Sequence, residues 1–379
     1  TSGATAPALD ASKLAFARAL ALYAEGLIRE AEEGRDSERA LEAFARAAEL
    51  DPGRERLHSK VAAAALYSKK PEKAIATLEE QVRLNPESTE ALWDLGSVYH
   101  LAGRFDDALN SFRGALAIDA AATRIYWAAA RTHFARDDVE AALEAIATGF
   151  ERSEEPLVLS SYLNIYAADL IRRQKIDTAI RCYSMLAKKA PAQRREFTNV
   201  LADLYELRGK TQAAKEALDR GTRIEDSLAS TFVKLALIDM RESSDAAIAT
   251  LERGRLSHPK DRPLLLMLAY SYFRARRHED AWRAFRDLHT VTTEEGPDAR
   301  LPEDFYIMYA VTCDETGKGP GSESLMKECI ALYPKSHSAL NYLAYTWAEK
   351  GENLDLARVY VRRALDLEPD NGAYLDTLG

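Results

Sequence analysis

The run Gly317-Lys318-Gly319-Pro320-Gly321-Ser322 comes nearest, by residue type, to a phosphate-binding loop. Such a loop cradles phosphate with backbone N–H groups, so it needs a strand before it, an earlier glycine at fixed distance and Ser or Thr directly after the lysine. All three are missing here, and the run reads as an inter-helix turn with Pro320 placed to begin a helix. The seven histidines, His58, His100, His133, His258, His278, His289 and His337, include no His-x3-His pair and no cysteine partners at zinc spacing. The three cysteines, Cys182, Cys313 and Cys329, are too few for a disulfide framework and fall in helical apolar stripes, as buried thiols do. No Gly-x-Ser-x-Gly or His-Glu-x-x-His arrangement occurs. The acidic pairs Glu32-Glu33, Asp106-Asp107 and Glu154-Glu155 fit solvated helix positions or turns. Catalytic, cofactor-binding and metal-ligating residues are therefore expected to be none.

Recognition is the remaining chemistry, and it depends on the elements that carry the aromatic and amide side chains. The clearest element is Thr89 to Ala120. Leu92, Leu95, Gly96 and Tyr99 recur at helical spacing, Gly103 marks a turn, and Ala108, Phe112, Ala115 and Leu116 form a second stripe. Gly96 and Ala108 have almost no side chain, so the two helices can approach closely while Tyr99 and Phe112 fill the space beside them. The alanine of the second helix returns as Ala40, Ala74, Ala108 and Ala142, in ungapped steps of 34 residues.

Composition agrees with a folded array. Of 379 residues, 47% are hydrophobic and 29% charged, enough apolar material for a continuous core. A net charge of -9 gives no general attraction to phosphate backbones, so nucleic acid is not an expected partner. No apolar run reaches membrane-spanning length, and membrane insertion is not expected. The chain begins with Thr1 rather than Met, which fits either a cytoplasmic protein or, after removal of a leader, a periplasmic one.

The unit from Thr89 to Ala120 resembles the tetratricopeptide repeat, with Leu-Gly, Tyr, Gly, Ala, aromatic and Ala in place and Ala120 standing where the family has Pro. The resemblance covers residues 13–379 and implies an all-α fold, a right-handed α-α superhelix or solenoid of about ten helix-turn-helix repeats. Residues 1–12 are expected to be a flexible lead-in, with Asp10 and Ser12 as candidate helix caps. Repeats one to eight occupy 13–289. The first carries Leu14, Phe16, Leu20, Tyr23 and Leu27 and then Ala40 and Phe44. After the fourth repeat the register slips by three residues, read as a longer connection, and resumes at Ser160 in a repeat closing on Pro191. The stretch 290–302 has no apolar periodicity and is expected to be a loop and the best internal boundary. Repeats nine and ten and the first helix of an eleventh fill 303–379, where Cys313 and Cys329 sit on the two helices of one repeat. The final stretch, with Asn-Tyr-Leu-Ala-Tyr and Pro-Asp-Asn-Gly, resembles bacterial members of the family.

In this family the first helices line a concave groove, into which their fifth and ninth positions point. The resemblance places Trp93, Trp127, Asn164, Asn199 and Asn341 at fifth positions, and Arg131, Phe134, Tyr270, Phe273 and Tyr345 at ninth or twelfth positions. Tryptophan, tyrosine and arginine have the composition of a binding hot spot, and asparagine amides can hold an extended peptide backbone. The alternative for Trp93 and Trp127 is packing on the neighbouring repeat. No lysine occupies a fifth position, which disfavours the family's way of gripping a C-terminal carboxylate. The expected function is a non-catalytic scaffold binding a protein or peptide in the groove. The alternative is a docking arm of a larger bacterial enzyme or envelope export machine whose active part lies outside this chain.

Overall fold

The computed structural model describes residues 10–190, 194–296 and 299–379, and every regular element among them is an α-helix. The fold class is all-α, built of antiparallel helix pairs in series. The chain forms two compact units, Thr1–Arg194 and Arg195–Gly379.

In the first unit the pairs are α1 (Ala11–Glu33) with α2 (Glu38–Leu50), α3 (Glu55–Tyr67) with α4 (Pro71–Leu84), and α5 (Thr89–Leu101) with α6 (Phe105–Ile118). They continue with α7 (Thr123–Ala135) and α8 (Val139–Arg152), then α9 (Pro156–Arg172) and α10 (Ile176–Lys189). Each second helix also packs on the first helix of the next pair, from α2 on α3 to α8 on α9. The second unit pairs α11 (Arg194–Leu207) with α12 (Thr211–Thr222), α13 (Ala229–Asp239) with α14 (Ser244–Ser257), and α15 (Arg262–Arg274) with α16 (His278–Glu294). After these come α17 (Glu303–Thr316) with α18 (Ser322–Leu332), α19 (His337–Lys350) with α20 (Leu354–Leu367), and the single helix α21 (Gly372–Leu378).

Helix starts follow from local side chains. Asp10, Ser37, Ser88, Asp138, Asp261 and Ser336 each accept a hydrogen bond from a backbone N–H of the first turn, which those turns otherwise leave unpaired. Most tight turns between paired helices contain a residue at positive φ, while the turn between α13 and α14 contains none. Gly103, Gly209, Gly317 and Gly351 supply it, whereas Lys69, Asp137, Gln174 and Arg276 adopt it against the preference of L side chains.

The 34-residue pattern appears as a seam of fully buried alanines, Ala40, Ala74, Ala108 and Ala142, flanked by Phe44, Leu78, Phe112 and Ile146. A Cβ added to Gly96 would stand 2.6 Å from the Phe112 ring, so only glycine fits there without movement. Gly26 holds the same relation to Phe44, at 2.4 Å.

Several sequence expectations shift. Of the large residues expected on α1, Leu14, Phe16, Leu20 and Leu27 are exposed, because α1 closes on α2 through Ala19 and Gly26. The register slip at the fifth repeat is a longer helix rather than a longer connection: α9 begins at Pro156 and runs 17 residues, where α7 has 13. Helix α16 continues to Glu294, into the expected loop 290–302. There the Thr290, Thr292 and Thr293 hydroxyls donate to carbonyls four residues back, at 2.8–2.9 Å, so the missing apolar periodicity does not end the helix. The stretch 290–302 lies within the second unit, and 297–298 fall outside the described residues, as do Pro191 and residues 1–9 of the expected lead-in. Ala11 and Ser12 are already helical, and α18 starts at Ser322 rather than at Pro320. Cys182, Cys313 and Cys329 are buried free thiols, and burial pushes Cys182 up to about 12. His133 is half-buried with Nδ1 3.7 Å from the Asp138 carboxylate.

Candidate recognition surfaces

In the first unit the first helices lie side by side, α3 on α5, α5 on α7 and α7 on α9. Trp93, on α5, is half-buried, and the Arg124 guanidinium of α7 covers its ring at 4.5 Å. Arg124 is itself paired with Glu90 of α5, so a single cation spans two repeats through a ring and a carboxylate. Trp127, on α7, stacks on Tyr162 of α9 at 5.6 Å and meets Tyr166 edge-on at 5.9 Å. Phe134 stacks on Tyr166 at 4.4 Å and is only 7% exposed, so its ring is inter-repeat packing with little surface left for a partner. Between these two rings Arg131 is exposed, and its charge adds to burial in lowering the His100 pKa. Asn164 is half-buried on α9.

Residues outside the fifth and ninth positions complete this stretch. Asp94, beside Trp93, accepts a hydrogen bond from Ser59 of α3, and burial raises its carboxyl pKa despite that bond. The relevant sequence signal was an opposite charge at the same repeat position: Glu90 and Arg124 are 34 residues apart.

In the second unit Asn199 is 7% exposed, and its amide is already engaged. Its Nδ2 donates to Ser230 Oγ at 3.1 Å and its Oδ1 accepts from Thr231 Oγ1 at 2.9 Å, tying α11 to α13. Tyr270 and Phe273, half-buried on α15, lean on the buried Phe285 ring at 6.2 and 6.3 Å. Burial first, and then the Asp304 carboxylate, push the Tyr270 phenol up. Asn341 and Tyr345, on α19, come together along one cavity of about 520 Å³ whose other wall is α21, with Ala373, Asp376 and Thr377. Tyr345 is 49% exposed and donates to Glu349, while Asn341 Oδ1 is buried without a hydrogen-bond partner. The cavity carries the Glu349 and Asp376 carboxylates and no cationic side chain.

Among the described residues no group of three His, Cys, Asp or Glu side chains could hold a metal ion, and no helix is long and apolar enough to cross a membrane. The architecture defines a helical-repeat protein whose pairs bury a small-residue seam and whose first helices share an edge. Its sequence matches models of the tetratricopeptide repeat over residues 60–123 and 99–160. Residues 60–160 therefore carry tetratricopeptide repeats, a module that serves in protein-interaction scaffolds. No curated protein sequence matches this chain. Among solved structures, it is similar to YrrB, a tetratricopeptide-repeat protein with an unusual peptide-binding site, at 23% identity over 38% of this chain and 70% of that one, with a TM-score of 0.31. A tetratricopeptide repeat protein from Parabacteroides merdae ATCC 43184 aligns at 14% identity over 67% and 99%, with a TM-score of 0.37. The Cut9-Hcn1 hetero-tetramer aligns at 16% identity over 95% and 75%, with a TM-score of 0.38.

Proposed function

We propose that this chain is a non-catalytic scaffold that binds a protein or peptide along the faces of its first helices. Two stretches are receptive: the tryptophan and arginine surface of α5 and α7, and the cavity between α19 and α21. The observation that carries the reading is the second one. Asn341 and Tyr345, drawn from the fifth and ninth positions of one first helix, line the same cavity. In the first stretch, Trp93 and Trp127 offer large rigid surface at little entropic cost.

Peptides selected on the chain from a displayed library test this by hydrogen exchange, with and without peptide. Protection should concentrate in first helices, and protection confined to second helices overturns the reading. For peptides protecting α5 and α7, replacing Trp93 and Trp127 with Ala should weaken binding by ~2 kcal/mol or more. Full affinity in a normally melting double variant removes this stretch from the site.

A further inference from the structure

We infer that the wall shared by α7 and α9 binds an extended peptide segment through an acidic side chain seated on Arg131 and an apolar side chain, two residues away, laid beside Trp127. This rests on the scaffold reading above and adds the chemistry of the partner.

The wall carries an unpaired cation. Arg131 is exposed, and among the described residues no carboxylate or other acceptor holds its guanidinium. Every carboxylate on the adjoining first helices is committed elsewhere. Glu90 pairs with Arg124, Asp94 accepts from Ser59, and Asp169 pairs with Arg172 at 3.2 Å and Arg173 at 2.5 Å. The repeat pattern explains why Arg131 is left over: Glu90 stands 34 residues before Arg124, whereas the same step from Arg131 reaches Ser97 in one direction and Ile165 in the other. The charge of Arg131 is felt as far as His100 on α5, where it adds to burial in lowering the imidazole pKa. An acidic side chain there gains a planar fork of donors, and a cationic one is repelled.

Beside that cation the wall is apolar and open. Trp127 stacks on Tyr162, which is still 38% exposed. Ile165 is 65% exposed, and Leu157, two turns earlier on the same stripe of α9, is 62% exposed. Ile165 belongs to the side of α9 turned towards α7. Across an earlier boundary Ser59 bonds Asp94, and Trp127 and Ile165 hold the corresponding positions once the three-residue slip is counted. These residues are internal to the array, with helix pairs before and after them. Grouped apolar exposure next to an unpaired charge complements a segment that carries both kinds of side chain. Trp127 and Arg131 are one helical turn apart, a rise of about 5–6 Å, and alternate side chains of an extended chain are about 6–7 Å apart. A spacing of two residues therefore reaches both.

The test uses the whole chain and a short fluorescent peptide repeating Leu-Gly-Glu-Gly, with matched peptides in which glutamine replaces every glutamate or serine every leucine. Anisotropy should rank the glutamate peptide above both. The chain carries a net charge of -9, so a preference for glutamate has to come from a local cation. Arg131→Gln removes an exposed charge, and an unchanged melting midpoint verifies the fold. That variant should lose about fivefold in affinity for the glutamate peptide and nothing for the glutamine peptide. In the unaltered chain the His100 ring, followed by NMR, should titrate at higher pH with the glutamate peptide bound than with the glutamine peptide, because a carboxylate on Arg131 offsets the charge that holds His100 down. Equal affinity for the glutamate and glutamine peptides, an unchanged glutamate affinity in the variant, or a His100 titration indifferent to the glutamate peptide overturns the inference. If library-selected peptides still protect first helices in that case, the scaffold reading stands and only the acidic preference fails. If no peptide protects any first helix, both fail together.

Discussion

Repeats three and eight, one in each unit, are assembled from the same parts. In repeat three Tyr99 donates to Glu79, and Arg104 lies over the Tyr99 ring at 4.5 Å while pairing with Asp107. In repeat eight Tyr272 donates to Glu252, and Arg277 lies over its ring at 4.8 Å while pairing with Asp280. Both first helices are capped, by Ser88 and Asp261, and both second helices bury an alanine and a phenylalanine, Ala108 with Phe112 and Ala281 with Phe285. The difference lies at the seam, where repeat three has Gly96 and repeat eight Ala269. Phe112 presses on Gly96, whereas Phe285 packs among Phe273, Phe305 and Tyr309. The same residue type at the same repeat position thus meets different neighbours in the two units.

The largest test of this parallel is to overpack both seams. Ala108→Leu and Ala281→Leu should each lower stability by about 1–3 kcal/mol, read as a lower melting midpoint. A large effect in one unit and none in the other breaks the equivalence of the two repeats. The glycine difference sharpens it further. Gly96→Ala should destabilise by about 1–2 kcal/mol because Phe112 must move, and Ala269→Gly by about 1–2 kcal/mol, through helix propensity and the loss of a buried methyl. A stabilising Gly96→Ala rules out the close approach of Phe112.

The paired tyrosines make a pH test. Burial first, and then hydrogen bonding to Glu79, push Tyr99 up to about 12, and the same causes push Tyr272 higher still. A raised pKa means the folded state holds the proton longer than an unfolded tyrosine, which ionises near ~10. The stability this contributes is complete below that pH and is lost as pH rises through the folded value. Phenolate absorbance should show a late-titrating class that shrinks in Tyr99→Phe and again in Tyr272→Phe. Phenolate absorbance that appears only near the ordinary tyrosine pKa would falsify the burial of both hydroxyls.

The smallest effect lies in the turns. Gly103 in repeat three and Arg276 in repeat eight hold equivalent left-handed positions, at φ 76 and φ 56. Arg276→Gly should stabilise by about 0.5 kcal/mol and Gly103→Ala should destabilise by about 1 kcal/mol. Opposite signs between the two substitutions support the shared turn, and equal signs do not.

The succession of antiparallel helix pairs among the described residues was legible in the sequence, because each pair encodes its own closure. Ala108 against Gly96 is a contact between residues twelve positions apart, and the 34-residue step repeats it. The helix caps were less legible. Asp10 stood out beside a polar lead-in, while Ser37, Ser88 and Ser336 look like any serine until the turn they close is seen.

The surface residues divide differently. Position in the repeat brought Asn341 and Tyr345 to one cavity, since both belong to a single first helix. It could not reveal that Phe134 is covered by Tyr166, that Trp127 stacks on Tyr162, or that the Asn199 amide is consumed by Ser230 and Thr231. Those partners sit on the next first helix, and whether a ring or amide meets them depends on how neighbouring pairs pack. The long α9 shows why. Its extra turn begins at Pro156, so the register between repeats four and five is set by where that helix starts and by what it packs against. Residue pattern within a repeat is a local property of a helix pair and can be read from spacing alone. Exposure on a shared wall belongs to two pairs at once, and only their packing in three dimensions decides it.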